Sequence, residues 1–166
     1  MSLDVATLNA MGVAEFVAAL DGIFEHSPWV AEAAASARPF ADRSALHAAM
    51  VAAVAAAGEA AQLGLLRAHP MLARRAVLTA ESESEQGRLG LQSLDAAAAD
   101  EMERLNQAYF DRFGFPFIIA VRGQRDRAAI AAALRARLLA SPADEREEAL
   151  AQVARIALFR LEDRVR

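Results

Sequence analysis

His69, followed by Pro70 where an apolar helical pattern stops, is the side chain best suited to acid–base chemistry in this sequence. An imidazole titrates near neutral pH and can give or take a proton. At a helix C-terminus it also has a plainer use, complementing the negative end of the helix dipole, and spacing alone favours that use. His26 and His47 fall on segments that read as solvent-facing ends or faces of helices, incidental to chemistry. No HxxxH or HxxE pairing surrounds His69, so the pattern predicts no metal site.

The second group is the run Thr79–Gln86. Ser82 with Glu85 three residues later matches the capping box, which predicts a helix start. A helix start also presents free backbone N–H groups to a carboxylate or a developing oxyanion, so the structural and chemical uses are compatible. The third is Phe113–Val121. Phe115 and Phe117 around Pro116 read as core, yet an irregular buried segment must satisfy its own N–H and C=O groups. A planar, amide-rich ligand could take some of them. Arg160 could pair with a substrate carboxylate or with Glu162 or Asp163 beside it, and the surface pair is the plainer expectation.

Helices must position these groups, because apolar residues recur at helical spacing along most of the chain and sustained alternation is absent. The pattern predicts helices over 4–10 and 13–24, the latter with Phe16, Val17, Leu20 and Phe24 on one face. Ser27 as N-cap before Pro28 opens another through Ala35, and Arg38-Pro39 ends it. Further helices cover 43–57 and 59–67. Residues 71–84 read as one short helix and a loop. Asp95 caps a long helix through Phe113, with Leu105 and Tyr109 inward. Ile118–Val121, with no partner strand in sight, reads as a buried extended connector. Helices over 126–139 and 143–164 close the chain, the last started by Ser141-Pro142 with Asp144. The expectation is a single-domain, all-α bundle of about eight helices over residues 1–166.

Composition agrees. Hydrophobic residues make up 55% of the 166, but aromatics only 6%, and an Ala-rich, Gly-poor chain favours helix. A net charge of -4 offers no basic field for nucleic acid or an anionic membrane. The absence of cysteine excludes disulfides, thiolate metal sites and cysteine nucleophiles. The N-terminus lacks a signal-peptide pattern, and the Ala-rich stretch 48–61 is too short to span a bilayer. A cytoplasmic location is the expectation.

Taken in order, these segments resemble the OHCU decarboxylase family (2-oxo-4-hydroxy-4-carboxy-5-ureidoimidazoline decarboxylase). The resemblance runs through Ser27-Pro28-Trp29, Arg38-Pro39-Phe40, Ala68-His69-Pro70, Ser82, Glu85-Gln86, Gly90-Leu91, Asn106, Tyr109, Phe113-Gly114-Phe115-Pro116-Phe117 and Arg160-Leu161. It implies an all-helical fold, no metal or organic cofactor and a homodimer. The implied reaction converts OHCU to (S)-allantoin and carbon dioxide in urate breakdown.

The family's catalytic histidine falls on His69 and its catalytic glutamate on Glu85. Its substrate-binding positions fall on Pro70, on Ser82, Glu83, Ser84 and Gln86, on the backbone of Phe117, Ile118, Ile119, Ala120 and Val121, and on Arg160. Two departures stand out. Met71 replaces the aspartate common after His-Pro, and the loop from His69 to Glu85 is about four residues shorter than in many members. The alternatives are a related lyase or tautomerase acting on another ureido or imidazolone compound, and a non-enzymatic helical module in which His69 and Ser82/Glu85 only cap helices.

Overall fold

In a computed structural model the chain is all-α. The structure describes residues 3–72 and 96–166, so all but the first two residues of the helix and loop expected over 71–84, and the Asp95 cap, lie outside them. Eight helices are described: α1 Val5–Ala10, α2 Val13–Ala19, α3 Trp29–Ala35, α4 Arg43–Ala56, α5 Glu59–Arg67, α6 Ala96–Phe113, α7 Arg127–Arg137 and α8 Pro142–Arg164. Among the described residues the sole β pairing is an isolated bridge, Leu3 with Val165. No single described helix is long and apolar enough to cross a membrane. The chain divides into two compact units, Met1–Leu65 with Ala154–Arg166, and Leu66–Val153.

In the first unit, local caps set most helix starts. Asp4 accepts from Thr7 N–H at 2.7 Å and Asp42 from Ala45 N–H at 2.8 Å, each satisfying a donor that a helix start leaves open. α4 buries Leu46, Met50 and Val54, four residues apart on one stripe. It stops at Ala57 because Gly58 takes φ +89°, and α5 leaves at 116° to it. α3 packs on α2 and α4 through Val30, Ala31, Ala34 and Ala35, small residues that allow close approach. Arg38 ties three carbonyls together, those of Ala35, Met11 and Leu8, with its guanidinium 4.8 Å from the Phe16 ring centroid.

Three expectations are corrected in this unit. α2 ends at Ala19 rather than Phe24. Gly22 and His26 adopt positive φ, 83° and 48°, so the backbone turns while Leu20, Ile23 and Phe24 stay buried and keep the helical apolar spacing. Ser27 is not the N-cap of α3. Its hydroxyl turns back to the Glu25 carbonyl at 2.9 Å, Pro28 holds the cap position, and α3 stops at Ala35 ahead of Arg38-Pro39. His47 is not incidental on a solvent face, since it is half-buried with Nε2 2.8 Å from the Ala154 carbonyl. His26 is exposed, as expected.

The second unit is organised around α6, which packs on α7. Met102, Asn106 and Tyr109 are its buried residues, at helical spacing, while Leu105 is half-buried. Asp126 caps α7 through Ala129 N–H, just outside a helix expected to include it, and Ser141 Oγ accepts from Asp144 N–H at the start of α8, as the sequence predicts.

Candidate active site

His69 follows α5 directly, and its N–H donates to the Leu66 carbonyl at 3.3 Å, closing the helix as expected. Its side chain is not on the surface, with the residue 7% exposed. Pro70 beside it is half-buried. Two bonds hold this turn in the second unit. Arg67, two residues earlier, donates from Nε to the Gly114 carbonyl at 3.0 Å. Asn106, 3% exposed, donates from Nδ2 to the Leu72 carbonyl at 2.9 Å. Both partners belong to α6 or its end. Gly114 terminates α6 with φ +77°, donating its N–H to the Phe110 carbonyl at 2.8 Å. A side chain at that φ would be strained.

From that stop the chain runs as Phe115-Pro116-Phe117-Ile118-Ile119-Ala120-Val121. It is irregular, and residues 117–121 are all between 0% and 7% exposed. The expected buried connector is therefore present. Its outer side is pinned by protein groups. Ala120 N–H donates to Gln152 Oε1 at 2.9 Å, the Ala120 carbonyl accepts from Gln124 Nε2 at 3.3 Å, and the Ile118 carbonyl accepts from Arg137 Nη1 at 2.5 Å. Among the described residues no acceptor faces the N–H groups of Phe117, Ile118, Ile119 or Val121. A buried donor left unmade costs about 1–3 kcal/mol, so a row of them suits a ligand rich in oxygen acceptors.

Behind the row lies a polar cluster absent from the sequence expectations. Arg137 Nε donates to Glu145 Oε1 at 2.6 Å, while Nη2 lies 2.5 Å from the same oxygen in ionic contact without hydrogen-bond alignment. Tyr109 donates its hydroxyl to that oxygen as well. The Arg137 guanidinium carbon sits 4.5 Å from the Phe117 ring centroid, and Tyr109 meets Phe117 edge-on at 5.4 Å. These residues look ordinary in sequence, because Arg137 closes α7 and Glu145 opens α8, both favourable to helix dipoles. Only the Ser141-Pro142 turn between the helices hints that the two meet.

Burial first, and then the bond donated to Glu145, push the Tyr109 phenol far above the usual tyrosine range, with Arg137 opposing. Tyr109 is the sole tyrosine of the chain. The folded protein is therefore expected to show no phenolate absorbance through pH ~10, where an unfolded chain ionises. A raised pKa makes the stabilisation complete below the unfolded value and progressively lost as pH rises above it. A spectrophotometric titration near 295 nm checks this, and a normal phenolate step in folded protein contradicts it.

Arg160 lies in the first unit and corrects another expectation. It is not a surface partner of Glu162 or Asp163. It donates to the Gly22 carbonyl at 2.8 Å and to Glu25 Oε1 at 3.3 Å, with side chains 2% and 0% exposed. Of the other expected site residues, His69, Pro70 and Phe117–Val121 are placed in the second unit. Ser82, Glu83, Ser84, Glu85 and Gln86 lie outside the described residues, as does the expected meeting of His69 with Glu85. Among the described residues no group of three or more His, Cys, Asp or Glu side chains could hold a metal ion.

Comparison with known proteins adds the class. The model of the OHCU decarboxylase family matches residues 9–162, and the chain belongs to that family. A 2-oxo-4-hydroxy-4-carboxy-5-ureidoimidazoline decarboxylase of Haloferax volcanii is 44% identical over 162 residues, covering 98% of this chain and 96% of that protein. The protein of the same name from Amia calva is 40% identical over 165 residues, covering 97% and 94%. A crystal structure of (S)-allantoin synthase superposes with a TM-score of 0.78 at 36% identity, covering 98% of this chain and 54% of that one.

Proposed function

We propose that this chain is the carboxy-lyase that converts OHCU to (S)-allantoin and carbon dioxide, with His69 and Glu85 as its acid–base pair. Family membership supports the reaction, and the buried N–H row of Phe117–Val121 beside polar anchors supports a site for an amide-rich ring.

The substrate carries a carboxylate and a hydroxyl on one ring carbon, next to a C=N carbon that bears the ureido group. The bond to the carboxylate breaks, carbon dioxide leaves, and the bonding pair moves toward the C=N nitrogen, which takes a proton. The resulting enol then loses its hydroxyl proton to become a carbonyl, while the ureido-bearing carbon gains one. One proton is consumed overall. Because the C=N unit accepts the electron pair, the reaction needs no added electron sink.

In this proposal His69 exchanges the proton with the hydroxyl or the ring carbon, and its fixed position gives a single enantiomer. Glu85 hydrogen-bonds the hydroxyl or sets the protonation of His69. N–H groups of 117–121, with Pro70, Ser82, Glu83, Ser84 and Gln86, bind the ring and ureido groups, and Arg160 binds the carboxylate. The working form is proposed to be a cytoplasmic homodimer, with no metal, organic cofactor, nucleic acid or membrane partner.

The test is circular dichroism of OHCU freshly made by enzymatic oxidation of urate and hydrolysis of its first product. Added protein is expected to speed the loss of the OHCU signal and yield (S)-allantoin. An unchanged decay, or racemic allantoin, would overturn the proposal.

A further inference from the structure

We propose that Arg137, held by Glu145 and Tyr109, is a positioning residue that aims the amide row of 117–121 at the substrate; this rests on the function proposed above. A peptide unit is planar and trans, so its C=O and the following N–H point in opposite directions. Arg137 takes the Ile118 carbonyl at 2.5 Å, which turns Ile119 N–H away from the guanidinium. Gln124 takes the Ala120 carbonyl, which turns Val121 N–H away from Gln124. Ala120 N–H is already given to Gln152. Ile119 and Val121 are thus the donors whose direction is set by side chains outside the row.

Arg137 is itself fixed. Its guanidinium is shared between the Ile118 carbonyl and Glu145, whose side chain is 1% exposed, and rests against the Phe117 ring. Tyr109 adds a second donor to the same carboxylate oxygen. A planar, multi-donor cation can hold a carbonyl and a carboxylate at once, whereas an ammonium on a flexible stem does so poorly. A solvent-facing ion pair would not need this; a pair that sets the direction of catalytic amides would.

Three variants test the assignment on freshly made OHCU. Wild type is assayed first, and if it does not turn over OHCU, the function proposed above fails and this inference falls with it. With wild type active, Arg137→Met is expected to lower kcat/KM about 10²-fold, the loss typical of one oxyanion donor. The pH dependence of kcat should be unchanged, since His69 is untouched. Arg137→Lys should recover only part of the loss.

Arg137→Met leaves Glu145 buried without its cation and can unfold the protein, so the decisive variant is Arg137→Met with Glu145→Leu. Replacing both charges by apolar groups commonly restores folding. The double variant is expected to regain the wild-type melting temperature but not kcat/KM, and its Ile119 and Val121 amide NMR signals should no longer shift on titration with (S)-allantoin. If it melts and turns over like wild type, the network is only structural and the inference is overturned while the function stands.

Discussion

Asparagine in place of His69 is expected to lower kcat on fresh OHCU by about 10²–10⁴-fold, the usual contribution of a general acid–base group. Asparagine keeps much of the size and a hydrogen-bonding amide, but it cannot carry a proton between solvent and substrate at neutral pH. The turn that holds residue 69 depends on backbone groups, its own N–H to Leu66 and the Leu72 carbonyl to Asn106, so folding should survive. Far-UV circular dichroism and the urea midpoint verify that. KM should move much less than kcat if the lost interaction belongs to the transition state. Glu85→Gln is expected to give a loss of similar order. A His69→Asn protein with near-normal kcat would remove the imidazole from the mechanism and leave it as the end of α5.

The largest expected effect on stability sits in the first unit, at Glu25 and Arg160. Both side chains are buried, and each has the other as a charged partner. Removing one side of such a pair takes a buried ionic partner from the other, so Glu25→Leu should cost about 3–5 kcal/mol in urea unfolding. Arg160→Met should cost a similar amount. The double replacement should cost far less than the sum, because the two buried side chains are energetically coupled. This cycle also separates two uses of Arg160. If the guanidinium only neutralises Glu25, the refolded double variant keeps its KM for OHCU. If it binds the substrate carboxylate, as proposed above, stability returns but KM rises.

What was legible in the sequence divides by the range of the interaction. The start of α8 at Ser141 is readable because cap and donor are three residues apart, whereas Asp4, Asp42 and Asp126 cap their helices at the same spacing but are not marked as caps by the apolar pattern. The end of α5 at His69-Pro70 and the buried connector after Phe117 were readable from proline and apolar content. The end of α2 was not, since Leu20, Ile23 and Phe24 keep a helical spacing through a turn and stay buried without being helical. Ser27 was misread because a serine before proline signals a cap unless the hydroxyl has a better local carbonyl, and Glu25 supplies one.

The anchors of the candidate site were the least legible. Arg160 meets Glu25 across 135 positions, Gln152 meets Ala120 across 32, and Asn106 meets Leu72 across 34. No local pattern encodes such pairs. Arg137 and Glu145 are eight apart, yet each already fits its helix end, so beyond the Ser141-Pro142 turn between them the sequence gives no sign of a further partner. The residues themselves mark His69 and the connector and the family resemblance adds their roles, while the groups that hold the connector in place come only from the fold.

The division into two units has an optical consequence. The only tryptophan, Trp29, opens α3 in the first unit, and the only tyrosine, Tyr109, lies in α6 in the second. Nature has thus equipped each half with one chromophore of a different colour. Melting followed by indole emission and by phenol absorbance reports on each half separately in an unlabelled chain. Superimposable curves would mark a single cooperative transition, and staggered ones would show which half lets go first.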